Sequence, residues 1–117
     1  MADTPEAQAY RETLIEWGEA SEAGEIQAAN RLFTLNHSQF KILRKTHEGQ
    51  TEITALLADT NPYVRSVAAT HSLLWSPDEA EIALEKLEDD EQAPPEVRIS
   101  AHYTLREWRA GRLNLDW

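Results

Sequence analysis

Residues 62–68 read Pro-Tyr-Val-Arg-Ser-Val-Ala, and residues 95–101 read Pro-Glu-Val-Arg-Ile-Ser-Ala. Pro62, Val64, Arg65 and Ala68 thus return as Pro95, Val97, Arg98 and Ala101, at a separation of 33 residues, each copy opening a helical pattern. A period of this length marks stacked helical pairs, because one such pair cannot bury its apolar face alone and needs a neighbour. The expected product of such a stack is a shaped surface, not a catalytic pocket.

Within the motif each residue type has a physical task. Proline fixes the entry of the second helix of a pair, valine and alanine face a neighbouring helix, and the small alanine lets two backbones come close. Arginine is the unusual member, since a cation in the first turn opposes the helix macrodipole and calls for a compensating group. The sequence offers Asp59 as a carboxylate partner for Arg65, and Asp89 or Asp90 for Arg98.

Outward from the motif the remaining chain divides into further helices. Thr4, Pro5 and Glu6 read as an N-cap, a first-position proline and a first-turn carboxylate, opening a helix over roughly 5–20 with Ala7, Tyr10, Leu14 and Trp17 on one side. After a break near Gly24, a helix of about 25–47 carries two adjoining apolar stripes, which predicts a central element touched by several neighbours. Gly49 is the expected stop, and Thr51 the expected cap of a short helix with Ile53, Leu56 and Leu57. The motif helix from Pro62 should reach about Trp75. Ser76, Pro77 and Glu79 then form a capping-box pattern, and the next helix turns Ala80, Ala83, Leu84 and Leu87 inward and Asp78, Glu81, Glu85 and Glu88 outward. The last helix starts at Pro95 and ends before Gly111, leaving a tail with Leu115 and Trp117 that is free to fold back. The expectation is one all-α domain over 1–117, with helix pairs in 1–48, 50–75 and 77–110 and a tail in 111–117.

Composition narrows the classes of function. With no cysteine there are no disulfides or thiolate sites, and no run of about 18 apolar residues predicts a membrane span. The formal charge of −10 disfavours a nucleic-acid binder and suits a basic partner. Residues 1–30 hold seven acids and residues 76–96 hold nine, each block with one cation. With no leader pattern, the expected compartment is the cytoplasm.

Catalytic patterns find little foothold. His37, His47, His71 and His102 show no i, i+4 metal spacing, and His71, on the apolar stripe of its helix, reads as a core histidine held by one hydrogen bond. Asn36 interrupts an apolar stripe and reads as ordering a buried contact. Glu81, Glu85 and Glu88 repeat at helical spacing as a solvated face, not as an acid–base pair in a shared pocket. Neither a Gly-x-Ser-x-Gly elbow nor a Gly-rich phosphate loop occurs. No enzyme activity, cofactor or metal is expected.

The aspartate in the turn and the Val-Arg at the second helix start resemble HEAT-type repeats. More narrowly, Asn30-Arg31-Leu32-Phe33, Leu56-Leu57-x-Asp59, Pro62-x-Val64-Arg65-x-x-Ala68-Ala69-Thr70, Pro77 with Ala80, and Thr104-Leu105-Arg106 with Gly111 resemble the bacterial family labelled DUF twenty-nineteen. That resemblance implies a short right-handed HEAT-like stack of about three helix pairs, roughly six helices. Gly18, inside the first helix, departs from regular HEAT spacing. Small acidic HEAT-like domains are often similar to immunity proteins, so the resemblance implies a cytoplasmic module that occludes a basic cognate toxin, such as a nuclease. The alternative is a non-enzymatic adaptor, regulatory or structural. Because second helices line the concave side of HEAT-like arrays, the implied partner face comprises Tyr63, Ser66 and Thr70 with Glu96, Ser100, Tyr103 and Glu107. Tyrosine supplies rigid contact area there, and the acids supply steering.

Overall fold

The computed structural model describes residues 4–116, which form six α-helices and one 3-10 turn, with no strand among them. Trp117 lies outside the described residues. Helix α1, Pro5–Glu22, starts as its sequence implies: the Thr4 hydroxyl accepts from the Ala7 N–H at 3.2 Å, with proline at the first position. Glu52 accepts from that hydroxyl at 2.7 Å, which fastens the start of α1 to α3. Gly24, at φ +71°, takes the left-handed conformation that ends α1 at little steric cost.

Helix α2, Ile26–Leu43, is shorter than its apolar stripes imply, because Thr46 opens a new helix. The Thr46 hydroxyl accepts from the Gly49 N–H at 3.0 Å and caps α3, His47–Ala55, so Thr46 and not Thr51 is the cap. Gly49 is no stop either. It sits in the first turn of α3, where a Cβ would lie 2.7 Å from the Leu43 carbonyl carbon, and glycine is what lets that turn pass so close to the end of α2.

A 3-10 turn, Leu56–Ala58, leads into the motif. The Asp59 carboxylate accepts from the Asn61 N–H at 3.0 Å, and Asn61 in turn caps α4, Pro62–Ser72, by accepting from the N–H groups of Tyr63 and Val64. Helix α4 ends at Ser72, before the expected Trp75. Helix α5, Pro77–Asp89, begins where expected, but the Ser76 side chain makes no cap. At φ −137° and ψ 62° it serves through its backbone, the Ser76 carbonyl accepting from the Ala80 N–H at 3.0 Å. Helix α6, Pro95–Arg109, is followed by Gly111 at φ +73°.

The helices pair as α1 with α2, α3 with α4, and α5 with α6, and the two motif helices α4 and α6 touch. The central element is α4. Its Val64, Val67 and Ala68 enter one cluster with Tyr10, Leu14, Phe40 and Ile53, while its Tyr63, Ala69 and Leu73 enter a second with Leu84, Val97, Ala101 and Leu105. Being at the periphery, α2 leaves Ile26, Phe33, Leu35 and Ile42 exposed, contrary to the central place its composition implied. The first pair also departs from a regular stack. Helix α1 lies along α4, from Tyr10 beside His71 to Gly18 beside Tyr63, whereas α2 meets α4 chiefly where the Phe40 ring stacks on His71 at 3.8 Å.

The motif residues Val64, Ala68, Val97 and Ala101 are all buried, as their roles require. The arginines differ from expectation in their partners. Arg65 donates to the backbone carbonyls of Asp59 at 2.9 Å and Thr60 at 3.1 Å, while the Asp59 carboxylate pairs with Arg11 at 2.7 Å. Arg98 donates to the Glu88 carbonyl at 3.2 Å, and the Asp90 carboxylate accepts from the Gln92 N–H. In both copies the cation therefore satisfies carbonyls in the segment that precedes its helix. For Arg98 the acceptor belongs to the last turn of α5, whose unpaired carbonyls carry the negative end of the helix dipole, while for Arg65 the acceptors lie in the turn after the 3-10 segment; in both, carbonyls compensate the cation in place of an acid.

Candidate interaction surface

The structure separates the residues expected to share one partner face. Tyr63 is only 4% exposed. Its ring lies over Gly18, where a Cβ would stand 2.5 Å from the ring, and meets Trp17 edge-on at 5.6 Å. The departure at Gly18 thus opens the space that Tyr63 fills. Burial, and then the Glu96 carboxylate to which its hydroxyl donates, push the Tyr63 pKa above the ordinary tyrosine value. Ser66 is buried too, and half-buried Thr70 donates to the Ser66 carbonyl at 2.9 Å. These three residues offer no open face, because α1 covers the side of α4 that like-with-like stacking of second helices would have left free.

The α6 half of the expected face is open. Glu96, Ser100 and Tyr103 are exposed and Glu107 is half-buried. Between them lies Ile99, which the sequence reading left unassigned; it is 57% exposed beside Tyr103 at 53%. The signal for Ile99 was its i, i+4 relation to Tyr103, opposite the buried stripe of Val97, Ala101 and Leu105. Glu107 accepts from Arg112 at 2.8 Å, and this hydrogen bond holds its carboxyl below the usual carboxylate range.

The other edge of α6 is tied to α5, a second departure from expectation. Arg109 donates to Glu81 at 3.0 Å and to Glu85 at 2.9 Å, and His102 lies 2.7 Å from Glu88. The repeated glutamates thus bridge the last pair instead of forming a wholly solvated face. After α6 the tail returns toward α2, where Arg44 donates to the Leu115 carbonyl at 3.3 Å and Leu113 packs on the second cluster.

The core polar groups behave as structure. His71 Nδ1 is 2.7 Å from the Tyr10 hydroxyl, and burial, followed by the charges of His37 and Arg44, lowers its pKa to about 3. Asn36 is buried, but its Nδ2 finds no hydrogen-bond partner among the described residues. A groove of about 470 Å³ runs between α3 with its 3-10 turn and α5, floored by Leu57, Ile82 and Ala83 and edged by Arg65, Lys86 and Asp90. Among the described residues no cluster of three histidine, cysteine or acidic side chains is placed to hold a metal, and no helix is long and apolar enough to cross a membrane. The chain matches no protein-family model, no curated protein and no solved structure.

Proposed function

We propose that this chain is a protein-binding module that engages a basic partner through the open face of α6. The observation that carries the reading is the exposed Ile99–Tyr103 pair with Glu96 and Glu107 beside it. An apolar pair of this kind can be desolvated by a partner, whereas carboxylates at its border favour cations and speed encounter. The chain's charge of −10 extends that attraction beyond the contact itself. In its narrower form the proposal is an immunity protein that occludes a cationic cognate toxin, such as a nuclease whose polyanionic substrate the acidic surface imitates. What suggests this form is the likeness of an acidic HEAT-like domain to immunity proteins.

The test is cross-linking capture from the source cell with the wild-type chain and with Tyr103→Ala as baits. The expected result is a basic protein whose recovery depends on Tyr103. Its purified complex should weaken about 30-fold in the variant, the scale of an interface hot spot. Association should slow as salt rises. A partner without excess positive charge, or one captured equally by both baits, overturns the reading.

A further inference from the structure

A polar seam between α1 and α2 is left incomplete by the protein's own described groups. Asn36 lies 1% exposed in the middle of α2. Three residues before it, the Phe33 ring meets the Trp17 ring at 5.7 Å, and three residues after it, Gln39 donates through Nε2 to the Thr13 hydroxyl at 3.0 Å. Side chains at spacings of three share one side of a helix, so Asn36 is directed at α1 in the span between Thr13 and Trp17. Thr13 is itself buried. Two buried polar atoms here have no hydrogen-bond partner among the described residues: Asn36 Nδ2, which donates, and Gln39 Oε1, which accepts.

A buried donor and a buried acceptor left unmet on one helix face are costly, and the great majority of such groups in folded proteins are satisfied by protein or by ordered water. We infer that Asn36, Gln39 and Thr13 hold an internal water between α1 and α2. The water accepts from Asn36 Nδ2 and donates to Gln39 Oε1. The Thr13 hydroxyl, which accepts from Gln39, keeps its own hydrogen and donates to the second lone pair of the water. Residues three apart on a helix have Cβ atoms about 5–6 Å from each other, a separation that one water bridges. Three hydrogen bonds are also the usual complement of an internal water, and a chain of this length holds about four such waters at roughly one per 27 residues.

The chemistry of the seam selects water over other small ligands. Its three polar side chains are uncharged, so they do not compensate an ion. A larger molecule would have to part α1 from α2, which pack together as a pair. Gln39 is half-buried, which gives the site a route to bulk solvent. The water also makes the register of the pair specific. A slip of α2 along α1 by one turn takes Asn36 and Gln39 away from Thr13 and strands every polar group of the seam. The first pair, whose placement beside α4 departs from a regular stack, is thus fixed by a polar contact as well as by apolar burial. This inference does not depend on the α6 face.

A high-resolution crystal structure of the full chain tests it directly. One ordered water should lie within about 2.7–3.2 Å of both Asn36 Nδ2 and Gln39 Oε1. In solution, the ROESY spectrum should connect the Asn36 side-chain amide protons to the water resonance with the sign of a through-space contact, which is opposite to that of proton exchange. Stability supplies an independent sign. With the water in place, Asn36→Leu leaves Gln39 Oε1 unmet, and the folding equilibrium constant from urea unfolding should fall about 10-fold. In a dry seam the same substitution removes an unmet donor and raises that constant. Thr13→Val, Asn36→Leu and Gln39→Met together remove every polar requirement, and the triple variant should recover most of the loss. A site without ordered water, an Asn36 amide bonded directly to an α1 carbonyl, or an Asn36→Leu chain more stable than wild type overturns the inference. Where a variant fails to fold, the two measurements on wild-type chain decide it.

Discussion

Replacing His71 with glutamine should make stability less dependent on pH, by an amount that follows from the burial of the imidazole. Packed between Tyr10 and Phe40, with its pKa lowered to about 3, His71 is neutral in the folded chain over the whole range in which an unfolded histidine titrates. The unfolded chain takes up this proton near pH 6.5, so below that pH the unfolded state binds more protons and stability falls as pH falls. The contribution is complete above about pH 6.5, declines through the interval down to about 3, and is flat below it. Between pH 7 and pH 5 the loss works out at about 2 kcal/mol, and over the full interval at roughly 4–5 kcal/mol. Against a total stability on the order of 5–15 kcal/mol, the first figure already shifts a denaturation midpoint measurably.

Glutamine at position 71 can still accept from the Tyr10 hydroxyl and has no proton to gain in this range. Urea unfolding of both proteins at pH 7 and pH 5 isolates the effect, because the other titrating groups are shared and largely cancel in the difference. His71→Gln should be the less stable protein at pH 7, through lost ring stacking. Its deficit should shrink by about 2 kcal/mol at pH 5. An unchanged deficit would mean that His71 is protonated in the native state as readily as in the unfolded one, and the account of a neutral core histidine would be wrong.

Two further outcomes test how the helices are joined. Gly18→Ala should lower stability by about 1–3 kcal/mol in thermal or urea melts, because the new methyl meets the Tyr63 ring at 2.5 Å, and Gly18→Ala/Tyr63→Leu should recover part of that loss. Arg98→Ala should cost on the order of 1–2 kcal/mol by releasing the Glu88 carbonyl, whereas Asp89→Asn and Asp90→Asn should each change stability by under about 0.5 kcal/mol; a large effect of either aspartate would restore the carboxylate partnership that the structure replaces.

The parts legible in the sequence are those set by local chemistry. Thr4, Pro5, Pro62, Pro77 and Pro95 mark helix starts because caps and proline act within one turn, and Gly24 and Gly111 mark ends because their left-handed backbone is a local requirement. The motif valines and alanines are buried as their spacing implies. What the sequence concealed depends on contacts between distant segments. Gly49 looks like a stop until the backbone of Leu43 is seen against it, and the stripes of α2 look central until α1 is found along α4 instead. The same packing choice removed Tyr63 and Ser66 from the surface while leaving Glu96, Tyr103 and Glu107 on it. Half of the candidate face was thus readable, and the half that was lost lies where a regular stack was assumed.

The irregular first pair has a consequence for how the surface charge is arranged. In a regular stack α2 would pack beside α4, and its cations would lie among the acids of neighbouring helices. Turning α1 toward α4 moves α2 to the edge and leaves Arg31, Leu35, Ile42 and Lys45 facing outward. At the other edge, Arg109 and His102 are drawn onto Glu81, Glu85 and Glu88, which engages cations on one side of α6 and leaves Glu96 and Tyr103 open on the other. Gly18 contributes to this arrangement by leaving room for the Tyr63 ring where α1 lies along α4, and so helps set α2 at the edge.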